Sequence, residues 1–258
     1  MWQPPHLSAR ARRRGRATVV ALVLVVVAVA GIAVPAGADG PLPGSGRDGG
    51  RDRRPGRVAR DPVLLVHGFD GSGRSWRVME QRLRDAGYRG REVLAISYDS
   101  EQSNVATARE VAAAADRLRA STGAVRVDVV SHSMGAISSR LYVEQLGGAD
   151  HVDAWVSLGG VNTGTVWALG CVLLVSCQEM TPGSPLLDDL ARDFRPDGAV
   201  RFGTWWSRCD LAIVPPGAAT IAGARNTETH CLGHSELKTD RAVFGEVLRF
   251  VGGAHRAR

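Results

Sequence analysis

The sequence predicts an α/β fold in which a mainly parallel sheet of about six strands is flanked by helices. Apolar runs typical of buried strands alternate with helical patterns from residue 61 to residue 251. Strands that are separated by helices pair in parallel through crossover connections. The first run, PVLLV at 62–66, is apolar at every position, as expected for a parallel strand that is buried on both faces.

The remaining elements follow in chain order from the same patterns. A helix is predicted from Trp76, where apolar residues begin to recur at helical spacing, to Gly87, which ends it. The other predicted helices are the Ala-rich 104–120, 135–146 and 239–251. The other predicted strands are 92–98, 125–131, 152–158, 201–206 and 219–223.

Residues 1–38 have the order of a secretory signal peptide. Five arginines precede the uncharged apolar run 17–34, and Ala36-Gly37-Ala38 provides the small-x-small pattern of a cleavage site. The run is nearly long enough to be a retained membrane anchor instead. The cleavage site favours export and a secreted, extracellular protein. The arginines leave the Sec and twin-arginine routes open.

The basic charge of the chain belongs mostly to this segment. Five of the 32 basic residues and none of the 26 acidic residues lie in 1–38, so the rest of the chain is nearly neutral. Nothing in this balance indicates a nucleic-acid partner. Residues 39–60 are mostly Gly, Pro, Arg and Asp and are interpreted as a disordered linker, which leaves 61–258 as the folded domain.

The sequence VDVVSHSMG at 127–135 carries the strongest chemical signal. A buried strand runs into Ser131-His132-Ser133-Met134-Gly135, and a helix follows directly. This is the pattern of a nucleophile elbow, with Ser131 in place of the usual first glycine, and it predicts the α/β-hydrolase fold. Ser133 is the predicted nucleophile, and it needs a base close by in space.

A second motif, VLLVHGFDGSG at 63–73, follows the first strand. In hydrolases of this kind the loop after that strand supplies one backbone N–H of the oxyanion hole, and the residue after the nucleophile supplies the other. We therefore assign these donors to Phe69 and Met134. His67 is interpreted as a structural loop histidine.

The acid and the histidine must follow the serine in this fold. Asp210 comes after the strand 201–206, and His234 comes just before the last helix. Both are expected at the carboxyl ends of strands, where the crevice of an open parallel sheet lies. His230 is an alternative base. The other acids in this part of the chain are interpreted as surface charges or stand after the histidine: Asp188, Asp189, Asp193, Asp197 and Asp240.

Four cysteines, all after residue 170, suggest two disulfides in an exported protein. Sequence alone permits three pairings. A bridge from Cys209 to Cys231 would join the loop of the acid to the loop of the base, and this placement favours the pairs Cys171–Cys177 and Cys209–Cys231. No CxxC spacing indicates a metal site, and no cofactor is expected.

The motifs VVSHSMG, LVHGF and SRCD…GARNTETHCLGHSEL resemble the small secreted bacterial lipases of class 2, over roughly residues 61–251. The resemblance implies a triad of Ser133, Asp210 and His234, with oxyanion N–H groups from Phe69 and Met134. It implies hydrolysis of lipid esters through an acyl-enzyme by a protein that we expect to be monomeric and to contact a lipid interface transiently. A short-chain esterase, an acyltransferase on the same triad and a non-catalytic binding protein remain alternatives.

Residues 165–200 are longer than the corresponding part of that family and interrupt the strand–helix alternation. This insertion contains the uncharged apolar loop between Cys171 and Cys177, and three prolines that limit regular structure. We expect it to form a partial cap that contacts the acyl chain. The alternative is that it packs on the sheet as ordinary core.

Overall fold

Six parallel strands form one sheet in the computed structural model, which describes residues 60–195 and 198–252. The strand order is β2-β1-β3-β4-β5-β6, and every neighbouring pair is parallel. The strands are β1 Val63–Val66, β2 Val93–Ala95, β3 Val127–His132, β4 Val152–Leu158, β5 Arg201–Trp206 and β6 Arg225–Glu228. The predicted fold class is confirmed. The predicted signal peptide and all but the last residue of the predicted linker lie outside the described residues.

Helices cover both faces of this sheet, and β1 shows why its sequence is apolar throughout. Val63 and Leu65 pack into the cluster that includes the last helix, whereas Leu64 and Val66 pack into the cluster on the opposite face. The helices are α1 Arg77–Asp85, α2 Asn104–Thr122, α3 Gly135–Gln145, α4 Val175–Met180, α5 Pro185–Asp193 and α6 Arg241–Val251. Within the described part of the chain, no helix is both long and apolar enough to cross a membrane.

The strand predicted at 219–223 is wrong. Residues Pro216–Ala219 form a 3-10 turn, and the sixth strand is β6 instead. The side chain of Asn226 accepts a hydrogen bond from the backbone N–H of Ile221 (3.0 Å) and donates one to its carbonyl (2.9 Å), which closes a turn ahead of the strand. Because β6 is a largely exposed edge strand, its residues are polar and give no apolar pattern.

The insertion contains more regular structure than its prolines predict. A 3-10 segment at Val166–Cys171 leads into α4 and α5. Pro185 is in the first turn of α5, where a missing N–H costs nothing, and Ser184 caps that helix. Leu187 and Leu190 of α5 are buried core residues, so this half of the insertion matches the core alternative. Pro196 and Asp197 lie outside the described residues.

Three carboxylates meet where β1, β3 and β4 begin. Asp61, Asp128 and Asp153 each place an oxygen within 4.8 Å of the others. Arg201 lies 2.5 Å from Asp153, and Asp128 accepts a hydrogen bond from the N–H of Ala154 (3.1 Å). Burial raises the pKa of Asp128 well above its usual range, and the charges of Asp61 and Asp153 raise it further.

We expect Asp128→Asn to stabilise the domain at neutral pH. A carboxyl whose pKa is raised by folding stabilises the folded state below its unfolded pKa of about 3.9 and loses that contribution as pH rises through the folded pKa. Asparagine does not ionise, so the gain in melting temperature over the wild type should be larger at pH 8 than at pH 4. Asp116→Asn, at an exposed carboxylate paired with Arg119, is the control. An equal change at both pH values would contradict the prediction.

Candidate active site

Ser133 occupies a strained turn between β3 and α3. It has a left-handed backbone conformation (φ 56°), which residues other than glycine rarely adopt. The neighbouring backbone is too close for larger residues. A Cβ on Gly135 would lie 2.8 Å from the carbonyl oxygen of Val66, and a Cβ on Gly68 would lie 2.6 Å from Cβ of Ser133. The tight strand–turn–helix geometry predicted from VVSHSMG is therefore present.

Ser131 replaces glycine in this turn without leaving its hydroxyl unpaired. The side chain is buried at the end of β3, and its Oγ donates to the carbonyl oxygen of Val156 on the adjacent strand β4 (2.8 Å). A buried hydroxyl with a partner costs little, whereas an unpaired one is destabilising. The local pairing explains how the departure from glycine is accommodated.

The two predicted oxyanion donors belong to segments that meet at Ser133. Met134 follows it in the chain, at the start of α3. Phe69 follows Gly68, where an added Cβ would lie 3.1 Å from Oγ of Ser133. Backbone N–H groups at this position, next to a helix N-terminus, suit the negative charge that develops on a substrate oxygen.

The structure joins Asp210 and His234 directly. Oδ2 of Asp210 lies 2.8 Å from Nδ1 of His234, and the aspartate is only 2% exposed. Oδ1 accepts from the backbone N–H groups of Ala212 (2.9 Å) and Ile213 (3.1 Å). The carboxylate therefore has partners for both oxygens. With a hydrogen on Nδ1, the neutral imidazole presents Nε2 as a proton acceptor.

Gly159, which sequence reasoning missed, lies against this pair. It follows β4 with φ 51°, and a Cβ there would lie 2.9 Å from Oδ2 of Asp210 and 3.2 Å from Nδ1 of His234. The preceding residue, Leu158, accepts a hydrogen bond from the N–H of Ser133 (3.1 Å). The turn after β4 therefore borders the Asp210–His234 pair through Gly159 and the backbone of Ser133 through Leu158. Consecutive glycines at a strand end, Gly159-Gly160, are the sequence signal for such a close approach.

Two tethers join the loop of the acid to the loop of the base. The predicted disulfides are confirmed, and one of them links Cys209 to Cys231. Beside it, the buried hydroxyl of Ser207 accepts from the N–H of Cys209 (3.1 Å) and of Leu232 (2.9 Å). Ser207 was not singled out from the sequence, because a lone serine after a strand carries no distinguishing pattern.

The other histidines considered from the sequence have other partners. His67 is buried, lies with Nδ1 2.8 Å from the carbonyl oxygen of Gly68 and stacks on Tyr98 at 3.9 Å. Burial lowers the pKa of His67, which keeps this loop-bound ring neutral. His230 is exposed and lies 3.5 Å from Asp240, away from the Asp210 carboxylate.

The insertion reaches the site through its first half. Thr165 accepts from the N–H of Val214 and donates to the carbonyl of Ala212, in the loop that follows Asp210. The ring of Trp167 contacts the edge of Phe69, with centroids 6.2 Å apart. Several large apolar side chains of the insertion and of the loop after Asp210 are exposed: Val166, Trp167, Leu169, Val172, Leu173, Val175 and Leu211.

Comparisons with known proteins identify the family of this chain and several similar structures. A family model described as "Lipase (class 2)" matches residues 60–242. The mature form of the lipase BlEst2 from Bacillus licheniformis has a similar structure, with a TM-score of 0.63 and 18% identity over 75% of this chain and 92% of that one. Lipase B from Aspergillus fumigatus gives a TM-score of 0.63 and 15% identity over 74% of this chain and 52% of the other, so the chain spans about half of that enzyme. A monoacylglycerol lipase from Paleococcus ferrophilus gives a TM-score of 0.55 and 12% identity over 76% and 96% of the two chains.

Proposed function

Because this chain belongs to the class 2 lipase family, we propose that it is an exported serine hydrolase that cleaves the carboxylic esters of lipids through an acyl-enzyme intermediate. The family is one of lipases and esterases with the α/β-hydrolase fold. The observation that carries the proposal is the buried Asp210–His234 hydrogen bond next to the strained turn of Ser133.

The proposed reaction uses the three side chains in sequence. Oγ of Ser133 attacks the ester carbonyl carbon while its proton passes to Nε2 of His234, and the carbonyl oxygen becomes negative against the N–H groups of Phe69 and Met134. The C–O bond then breaks, and the leaving alcohol takes the proton from His234. Water repeats the sequence on the acyl-serine and releases the carboxylic acid. Asp210 stabilises the imidazolium that forms twice in the cycle.

Export is part of the proposal. The two disulfides are of the kind that persists in oxidising compartments, and the order of charged, apolar and small residues in 1–38 is that of a cleaved signal peptide. The mature protein would then begin at or near Asp39.

The exposed apolar side chains of the insertion favour a lipid surface as the partner. Leu173 is 96% exposed and Trp167 is 52% exposed, while Leu211, next to the predicted acid, is 82% exposed. Residues 158–178 contain no charged side chain. Exposed apolar side chains concentrated in one stretch of chain favour an interaction site, and the lack of charge suits the hydrocarbon of a neutral lipid.

Hydrolysis of p-nitrophenyl esters from acetate to palmitate, together with a triglyceride emulsion, tests the function. The mature protein should release p-nitrophenol across the series and fatty acid from the emulsion. Activity on acetate alone would show that the protein is a short-chain esterase and not a lipase. No hydrolysis of any ester by folded protein would refute it.

Leu173→Ser tests the lipid surface. Each CH₂ moved from water into hydrocarbon is worth about 0.8 kcal/mol and the substitution removes three carbons, so it should lower activity on the emulsion and on palmitate by about tenfold or more. Activity on acetate and the melting temperature should not change, because the side chain lies outside the core. Val125→Ser, at an exposed apolar residue in the loop before β3, is the matched control. An equal loss on acetate and palmitate would contradict this role.

A further inference from the structure

His132, the last residue of β3, is covalently bonded to the predicted nucleophile and packs against the predicted base. The residue is 4% exposed, and its ring centre is 4.4 Å from that of His234. Nε2 of His132 lies 3.0 Å from the backbone carbonyl oxygen of His234. Trp76 packs against the ring at a right angle, with centroids 6.5 Å apart. The imidazole therefore fills the space between the end of β3 and the loop that carries His234.

The partner of this ring determines its protonation. A carbonyl oxygen only accepts hydrogen bonds, so Nε2 of His132 must carry a hydrogen and donate it. Burial lowers the pKa of His132 well below its usual range, and the basic groups that face it, His234, Lys238 and His67, lower it further. His132 is thus a neutral donor.

His234 is held at two points, and they control different movements. The bond from Nδ1 to Asp210 orients the ring, but Asp210 belongs to the loop after β5, which the Cys209–Cys231 disulfide ties to the base loop itself. The bond from its carbonyl goes to His132, which is covalently next to Ser133. The bond from His132 therefore holds the backbone of His234 at the end of the strand that leads into Ser133.

We propose that His132 is a positioning residue that sets the distance between His234 and Ser133. The inference rests on the proposed function, because it concerns the base of that reaction. Neutrality of the ring suits this role. When His234 accepts the Ser133 proton it becomes a cation, and a charged neighbour at 4.4 Å would oppose that step.

Two substitutions at this position separate the hydrogen bond from packing. His132→Leu keeps an apolar side chain of comparable size and removes the donor, whereas the amide of His132→Gln can donate to the same carbonyl. Misplacing a catalytic group by about 1 Å costs on the order of 10²-fold, so His132→Leu should lower kcat on p-nitrophenyl acetate by about 10- to 100-fold with KM nearly unchanged. His132→Gln should recover most of that loss. Inactivation by a fluorophosphonate should slow in parallel with kcat.

Nitrogen-15 NMR of the wild-type protein gives a test that does not depend on a variant folding. The His132 ring should appear as the neutral tautomer with hydrogen on Nε2 and should remain so at pH 5. A charged ring, or hydrogen on Nδ1, would overturn the proposal. So would full kcat in His132→Leu, or equal losses in the leucine and glutamine variants. If Ser133→Ala abolishes activity while His132→Leu retains it, only the positioning role is wrong; if Ser133→Ala is active, the proposed function itself is wrong.

Discussion

Ser133→Ala should lower kcat/KM for ester substrates by roughly 10³-fold or more. In the proposed reaction the hydroxyl oxygen forms the acyl bond, so its removal leaves only substrate binding and oxyanion stabilisation. Fold and melting temperature should be retained, because alanine keeps the Cβ and deletes one partly exposed oxygen.

Labelling with a fluorophosphonate locates the nucleophile independently of the kinetics. Mass spectrometry of the wild type should place the adduct on Ser133, and the alanine variant should not react. Ser121→Ala, which removes a hydroxyl from α2 away from the site, is the matched control and should label normally. An adduct on another residue would end the assignment of Ser133.

Asp210→Asn should reduce kcat by about 10³- to 10⁴-fold with little change in KM. The amide oxygen can replace Oδ1 as the acceptor for the N–H groups of Ala212 and Ile213. The amide nitrogen would then face Nδ1 of His234 and donate to it, which moves the imidazole hydrogen to Nε2. A protonated Nε2 cannot accept the serine proton, so the variant should be folded and nearly inactive.

Asp240→Asn provides the comparison for this substitution. Asp240 caps α6, and its carboxylate is 3.5 Å from His230, so it tests the alternative pairing of acid and histidine with the same change of atoms. Asparagine is also a good N-cap, and helix stability should be kept. Activity of Asp240→Asn should stay within a few-fold of the wild type. Loss of activity in this variant, with Asp210→Asn active, would reverse the assignment.

The sequence predicted structure correctly where all the residues that determine it are close together in the chain. The nucleophile turn could be recognised because the strand, the small residues and the helix are all within 127–145. The positions of Asp210 and His234 followed from topology, since parallel strands with helical crossovers bring their carboxyl ends to one edge of the sheet. The cysteine pairing followed from the same placement.

The wrongly predicted strand at 219–223 shows what an apolar pattern cannot distinguish. Apolar residues there indicated burial, and Ile221 is indeed buried, but burial does not distinguish a turn from a strand. The side chain of Asn226 decides the conformation by bonding to the backbone of Ile221. The edge strand β6 has no apolar periodicity by which the sequence could predict it, because its side chains are largely exposed.

By itself, the sequence determined the fold class and which serine, acid and histidine are candidates for one site, and it favoured one of three possible cysteine pairings. Tertiary structure alone decided how closely those groups meet: Gly159 permits the approach after β4, Ser207 bonds two loops through one hydroxyl, and His132 binds the backbone of His234 across 102 positions of chain. A periodic pattern records which face of an element is covered, but not which distant loop covers it. Contacts between loops depend on the packed positions of several strands at once, so no single segment of sequence contains them.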